Sequence, residues 1–323
     1  MKSGIEVVIM CRERPSETNR AIDALAKVDF GTKTKIVVSD NPSTPSKFLT
    51  NIPREVSHIK RNPSGSWNWH FNKIVSELEY EWCLITHDDD EILPILGDIF
   101  CANRTNSGVS VITGLSQIVH HESGLIHDQN YEKRLESAGL KEPAGQVRRD
   151  LSHYLFDQGT LFPASAMIIR SSLLQSLPPL DERFELTADF GLSVLIAHES
   201  GVIFEGRQPV MKYHLHQNNS VFSDVAMGGI KADFTITRIL LLDKYPELFN
   251  ESRLTLILKS VIQSKILVSA FGLTQRRKTL IQTIKSSDLL KKNKLKYSLM
   301  TLPIRLGPLA PIVRYLMRKR LGN

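Results

Sequence analysis

The chain has 323 residues, 41% hydrophobic and 23% charged, the profile of an ordinary globular protein with a sizeable core. Three scattered cysteines, Cys11, Cys83 and Cys101, argue against a disulfide framework or a Cys/His zinc site and fit a reducing compartment. The net charge of +7 is uneven: Gly272 to Asn323 holds 13 Lys/Arg against Asp288 alone, so the first 271 residues are net −5.

The chain runs almost at once into an apolar stretch, Ile5 to Met10, which reads as a buried strand and not as the start of a signal peptide. Thr18 to Val28 has helical spacing. Lys35 to Ser39 is a second strand, closed by the turn Asp40-Asn41-Pro42-Ser43, and Val56 to Ile59 is a third. From Gly65 to Leu78, Trp67, Phe71, Ile74, Val75 and Leu78 form one face of an amphipathic helix. Trp82 to Thr86 is a fourth strand, followed directly by His87-Asp88-Asp89-Asp90-Glu91.

Such alternation predicts an α/β fold with a mainly parallel, Rossmann-like sheet flanked by helices. Ligands bind beyond the carboxyl ends of the strands in such sheets, so Asp40 and the acids at 88–90 are expected on one rim. Gln117 to Asp157 reads as loops and short helices. Thr160 to Ile169 is strand-like, Phe190 to His198 helical, and Val202–Phe204 and Val210–Tyr213 are two further strands. Beyond about Asp224 the pattern is helical: Phe234–Leu242, Leu254–Val268 and Leu280–Leu290. Two regions are expected, 1–225 as the catalytic domain and 226–323 as a basic helical extension.

Four local signals carry chemistry. Three adjacent carboxylates at 88–90 repel one another, so they either stay solvated in a turn or hold a hard cation such as Mg2+ or Mn2+. Asp40 is turn chemistry when taken alone. Asp189 opens a predicted helix, as a carboxylate settled by the macrodipole or as a general base. His214 and His216 share one strand face by period-two alternation, and His216 is a candidate to complete a metal site.

The order and spacing of these elements resemble the family 2 glycosyltransferases, which have the GT-A fold. The likeness covers about residues 4 to 222. It includes the strand Val7–Met10, the turn Asp40–Ser43, and Asn62 and Gly65 leading into a helix with Asn72. An Asp-x-Asp-like run follows in Asp88, Asp89 and Asp90 ahead of Pro94, then Ala188-Asp189 and His214-Leu215-His216. Departures are Ala188 for the usual Glu, His214 for the usual Arg and Pro42 for the usual Gly.

The resemblance implies an inverting, metal-dependent transferase that moves a sugar from a nucleotide-diphosphate donor, a UDP-sugar by default, to an acceptor hydroxyl. It implies that Asp40 meets the donor base. Cys11, Arg12, Asn62, Gly65 and Asn72 would line the nucleotide, and Asp88 and Asp89 would contact ribose or the donor sugar. Asp90 and His216 would hold Mn2+ or Mg2+, and Asp189 would be the base. Trp67 fits the helix stripe as a core residue. Trp69 lies off that stripe and is an acceptor-stacking candidate, and Ala188, in the 187–190 loop, is a second acceptor-side candidate. The rivals are a metal-dependent phosphohydrolase or nucleotidyltransferase and a degenerate GT-A subunit. The first strand leads into Cys-Arg-Glu-Arg-Pro, without the glycine-rich loop of sugar nucleotidyltransferases.

The tail from Arg276 interleaves basic clusters with apolar segments, as suits an anionic membrane surface, a helical bundle or a homo-oligomer contact. Nucleic acid is not expected as a partner, because aromatic interleaving is sparse. These features, with no charge-free window of about 20 residues, give an expected place in the cytoplasm at the inner face of the membrane. The acceptor expected there is a glycan or lipid-linked glycan in bacterial surface polysaccharide assembly.

Overall fold

The computed structural model describes residues 1–61, 65–120, 126–128, 147–148, 152, 155–156, 163–215, 224–248 and 250–293. The chain divides into two compact units. One comprises Met1–Glu182 with Leu192–His216, the other Arg183–Gly191 with Gln217–Asn323.

In the first unit, β1 (Lys2–Cys11) is buried from Gly4 onward and lies between two parallel neighbours. β2 (Thr34–Asp40) pairs on one side and β4 (Tyr80–His87) on the other, and β3 (Ser57–Lys60) extends the parallel set beyond β2. Helix α1 (Pro15–Leu25) starts on a proline that presets its first turn and buries Thr18, Ala21, Ile22 and Leu25. Helix α2 (Trp67–Glu77) is capped by the Ser66 hydroxyl, which accepts from the Trp69 N–H at 3.1 Å. A parallel half of this kind makes strand ends coincide: Cys11 faces Asp40, Asp40 faces Lys60, and Met10 faces His87.

The other half of the sheet is mixed. After β5 (Asp90–Ile92) and α3 (Pro94–Asn103) come β6 (Val111–His120), β7 (Ile126–Asp128) and β8 (Val147–Arg148). They are followed by β9 (Ile168–Arg170), α4 (Ser171–Ser176), α5 (Ala188–Glu199) and β10 (Val202–Leu215). The strand order is β3-β2-β1-β4-β9-β6-β10-β5, with β7 added to β6 and β8 to β10. Most of the register is parallel; β9 and β5 join antiparallel.

Several expectations need correction. Within the strand expected over Thr160–Ile169, Ala164–Ala166 form a 3-10 turn and pairing begins only at Ile168. Val202–Phe204 and Val210–Tyr213 belong to one strand, broken in register around Pro209, whose missing N–H a regular ladder would not tolerate. Gln117 to His120 close β6 and are not loop. Gly114 hid that strand from the pattern. A Cβ there would meet a Val210 methyl at 2.5 Å and the Glu205 carbonyl at 2.9 Å, so the irregular stretch of β10 comes too close for a side chain.

The core of the first unit runs along both halves of the sheet, with Ile5, Val7, Ile9, Leu84, Leu96, Phe100, Ile112, Ile168 and Met211 all buried. The second unit is helical: α6 (Asp224–Lys244), α7 (Glu251–Ala270), α8 (Thr274–Ser286) and α9 (Asp288–Lys292). The expected helix Leu280–Leu290 is thus two, because Ser287 ends one and its hydroxyl caps the next through Leu290 N–H. Asp233, 1% exposed, pairs with Arg276 across α6 and α8. Thr187 bonds Thr237 at 2.8 Å and Phe190 packs on Phe234, fastening the 183–191 segment to α6. No described helix is long and apolar enough to cross a membrane. Residues 294–323, which hold most of the expected surface-seeking tail, lie outside the described residues.

Candidate functional site

The parallel strands β2, β1 and β4 deliver their ends side by side, and the sequence places a polar residue at each. Beyond β4 the chain turns through Asp88 and Asp89 into β5, whose first residue, Asp90, pairs with Tyr213 of β10. The three acids are only 3%, 9% and 2% exposed, so the solvated-turn alternative is set aside. Buried carboxylates need compensation, and most of what is visible comes from the β1–α1 loop. Arg12 N–H donates to Asp88 Oδ2 at 3.0 Å, while the Arg14 guanidinium bonds Asp89 and lies 3.5 Å from Asp88 Oδ1. Burial pushes the Asp88 carboxyl up to about 6, although the Arg14 charge opposes it. Burial pushes Asp89 the same way, but there Arg14 prevails and holds the carboxyl below its ordinary value.

The loop reaches this position through Glu13, whose φ of 61° lies in the left-handed region that side chains avoid. Its carboxylate accepts from Ser43 N–H and from Lys47 Nζ, the latter at 2.7 Å, which ties the loop to the turn after β2. Lys47 and Ser43 also hold that carboxyl down at about 2.

Asp40 is fully buried at the end of β2. Its Oδ2 accepts from Leu49 N–H at 2.7 Å and meets His58 Nε2 at 3.2 Å. Its Oδ1 is buried with no hydrogen-bond partner among the described residues. Cys11 faces it across the register, but its thiol donates to the Ser39 carbonyl, and burial followed by the Asp40 charge raises it far from thiolate. Cys11 is therefore a wall and not a nucleophile.

Asn41, the second residue of the turn after β2, clips Gly65 to the end of β2 through both its amide groups, each at 3.2 Å, a contact that sequence spacing does not show. Trp69 lies half-buried with its ring so close to Gly65 that a Cβ there would sit 2.4 Å from it. Asn72 spends both ends of its amide on the backbone of Leu180, at 2.8 and 3.0 Å, so it braces the 180 segment against α2. Asn62 and His216 lie outside the described residues.

Two histidines border the acids. His87, at the end of β4, receives a hydrogen bond from the Trp67 indole N–H at 3.1 Å and has Nδ1 3.8 Å from Asp90 Oδ2. Ligand atoms of His87, Asp89 and Asp90 lie within 4.8 Å of one another, a grouping tight enough for one ion. His214 lies 2.8 Å from Glu91, which also meets Arg20 at 3.2 Å and Lys212 at 3.5 Å. Glu91 thus gathers α1 and β10 beside the acidic turn. Nothing in local spacing announces that hub, because Arg20, Glu91 and Lys212 meet only once the sheet has closed.

In the second unit, Ala188 and Asp189 form the first turn of α5, where the positive helix end favours a carboxylate.

Neither a family model nor a curated protein matches this sequence. Solved structures do. TarS residues 1–349 of S. aureus superpose at TM-score 0.51 and 14% identity, over 91% of this chain and 92% of that one. The fold is GT-A. The same TarS segment in complex with UDP-GlcNAc gives 0.50 at 13% identity, with the same coverage. Mannosyltransferase PcManGT from Pyrobaculum calidifontis, in complex with GDP-Man and Mn2+, gives 0.51 at 10% identity, over 98% of this chain and 87% of that one. The GT-A neighbours thus include nucleotide-sugar complexes, and the rim at Asp40 and Asp88–Asp90 is where an α/β sheet takes its ligands.

Proposed function

We propose that this protein is an inverting glycosyltransferase that moves a sugar from a nucleotide-diphosphate donor, foremost a UDP-sugar, to the hydroxyl of a glycan or lipid-linked glycan. One observation carries the reading: a buried carboxylate with an open acceptor, Asp40 Oδ1, shares a sheet rim with a buried acidic turn, with only β1 between them. The open oxygen suits an N–H of the donor base, and the acids suit a cation that accompanies a diphosphate. Nucleotide-sugar complexes among proteins of this fold support the donor class.

Asp40 takes the base edge, and the Cys11–Arg12 corner with Gly65 forms the wall beside it; Asn62 is assigned to the same wall and Asn72 braces it. Asp88 and Asp89 orient ribose and donor sugar. The close, buried carboxylates of Asp89 and Asp90 fit a hard divalent ion such as Mn2+ or Mg2+, and Mn2+ in a neighbour of the same fold supports that choice. Asp90, with His216 as a second ligand, would hold it. Such an ion supplies Lewis-acid neutralisation of charge on the leaving diphosphate. Asp189 takes the proton of the attacking hydroxyl, a contribution of about 10²–10⁴ in rate. Trp69 and the Ala188 position face the acceptor in this assignment. The basic C-terminal region gives attachment to an anionic membrane surface, which suits assembly of a bacterial surface polysaccharide.

A thermal-shift screen against UDP, GDP and dTDP, each with and without Mn2+, tests the donor site. Stabilisation by one nucleotide only with metal is the expected result. No shift with any nucleotide, followed by no donor hydrolysis, would overturn the enzyme reading in favour of a degenerate subunit. Asp189→Ala is expected to keep the nucleotide shift and lose transfer; transfer at the original rate would remove Asp189 as the base.

A further inference from the structure

Helix α8 carries Arg276, Arg277, Lys278 and Lys285 and no acid. Its inner face is fixed: Leu280 and Thr283 are buried, and Arg276 bonds Asp233 of α6 at 2.6 Å. The two helices come so close here that a Cβ on Gly229 would sit 2.9 Å from Arg276 Nε. Helical spacing then decides the rest. With residues 276, 280 and 283 turned inward, Arg277, Lys278 and Lys285 turn outward, and all three are exposed. None has an acidic partner among the described residues, whereas Lys291 of α9 is paired with Asp288. Arg276 is thus spent on the fold, and the two basic residues after it are not.

Ile281 lies at the centre of this outer face. It is four residues from Arg277 and from Lys285 and three from Lys278, the spacings that make neighbours on a helix surface. It is itself only half-buried. A soluble polyanion gains nothing from an isoleucine ringed by cations. A bilayer surface gains from both, because the cations meet lipid phosphates while the apolar side chain enters the acyl boundary.

We propose that the outer face of α8 is a docking surface for an anionic lipid bilayer, with Arg277, Lys278 and Lys285 on the phosphates and Ile281 as the apolar point of entry. This rests on the membrane attachment proposed above for the C-terminal region and assigns it to one helix; the nucleotide site does not depend on it. Each cation held at an anionic surface strengthens binding about fivefold, so the three together give about a hundredfold.

Sedimentation of the full chain with vesicles of equal parts phosphatidylcholine and phosphatidylglycerol, against phosphatidylcholine alone, tests the surface. The wild type is expected to bind the mixed vesicles only, and to release them as salt is raised. Replacing Arg277, Lys278 and Lys285 together by Gln should weaken binding about a hundredfold, with melting temperature and nucleotide-induced stabilisation unchanged. Lys278→Gln alone should weaken it about fivefold, and decides the matter if the triple variant melts early. Ile281→Gln should weaken it about three- to tenfold. Charge variants that bind as tightly as the wild type would overturn the assignment to α8 while attachment through another part of the C-terminal region stands. A wild type that ignores the mixed vesicles would overturn both, and a nucleotide shift in the same sample would show that the transferase reading survives. Inorganic polyphosphate bound as tightly as the vesicles, with Ile281→Gln unaffected, would overturn the bilayer in favour of a soluble polyanion.

Discussion

Arg14 pairs with Asp89 across 75 residues of sequence, so the acidic turn already has a cation of its own. The Arg14 side chain is 43% exposed, while Asp89 is nearly buried. A metal ion arriving at the turn must share that carboxylate or displace the arginine. Arg14→Met is therefore expected to tighten Mn2+ binding in the absence of nucleotide. A partly exposed pair is worth no more than about 1 kcal/mol, so the gain is about two- to fivefold. Titration of free Mn2+ by electron paramagnetic resonance reads it directly. Weaker binding in the variant would mean that Arg14 arranges the acids and does not compete for them.

Beneath the rim, Ser39 Oγ lies 2.8 Å from His70 Nε2 and accepts from Arg61 Nε, while Arg61 grips Glu77 with both remaining nitrogens. Burial, reinforced by the Arg61 charge, lowers His70 to about 4 from an ordinary value near 6.5. The folded state then binds fewer protons than the unfolded state between those limits. Stability is fully present above pH 6.5 and is lost as pH falls towards 4, by up to about 3 kcal/mol. His70→Gln keeps an amide towards Ser39 and cannot titrate. Denaturant melts at pH 7 and pH 4.5 should differ less in that variant, and an equal loss in both would assign the acid sensitivity elsewhere.

Gly65→Ala tests the wall beside Asp40. The added methyl would press on the Trp69 ring, whose backbone is fixed by the Ser66 cap. Overpacking of this kind costs about 1–3 kcal/mol. The near-ultraviolet circular dichroism of the indole should change, and nucleotide-induced stabilisation should fall with it. An unchanged spectrum would mean that the 65–69 corner yields without strain.

In the helical unit, Arg276→Met should strip the near-buried Asp233 of its guanidinium. Losing one member of such a pair costs about 3 kcal/mol. A lowered melting temperature with the Mn2+ affinity unchanged is the expected result. Loss of metal binding as well would show that the two units unfold together.

The parallel half of the sheet was legible because its signals are local: apolar runs of strand length, Pro15 opening a helix, and Trp67, Phe71 and Ile74 on one helix face. Asp40 and the 88–90 run were found because parallel strands put their ends together, a topological rule and not a motif. The mixed half was read less well. Gly114 and Pro209 break the strand pattern because β6 and β10 approach too closely at their irregular register, and period-two reading has no means of seeing a neighbour. For the same reason the partners of the acids escaped notice. Arg14, Asn41 and His87 acquire their contacts from residues 20 to 75 positions away, and only the folded chain brings those together.

The acidic turn spans the sheet: β4 stands beside β1, whereas β5, two residues later, is held by Tyr213 and Met211 of β10. During synthesis the strands that end at Cys11, Asp40 and His87 leave the ribosome long before that clasp exists. Asp90 acquires its backbone partner only after residue 213 has emerged. A nascent or truncated chain can thus assemble the rim at Asp40 and Gly65 while the acidic turn still lacks its clasp, so the turn takes its final geometry only when the first unit is nearly complete.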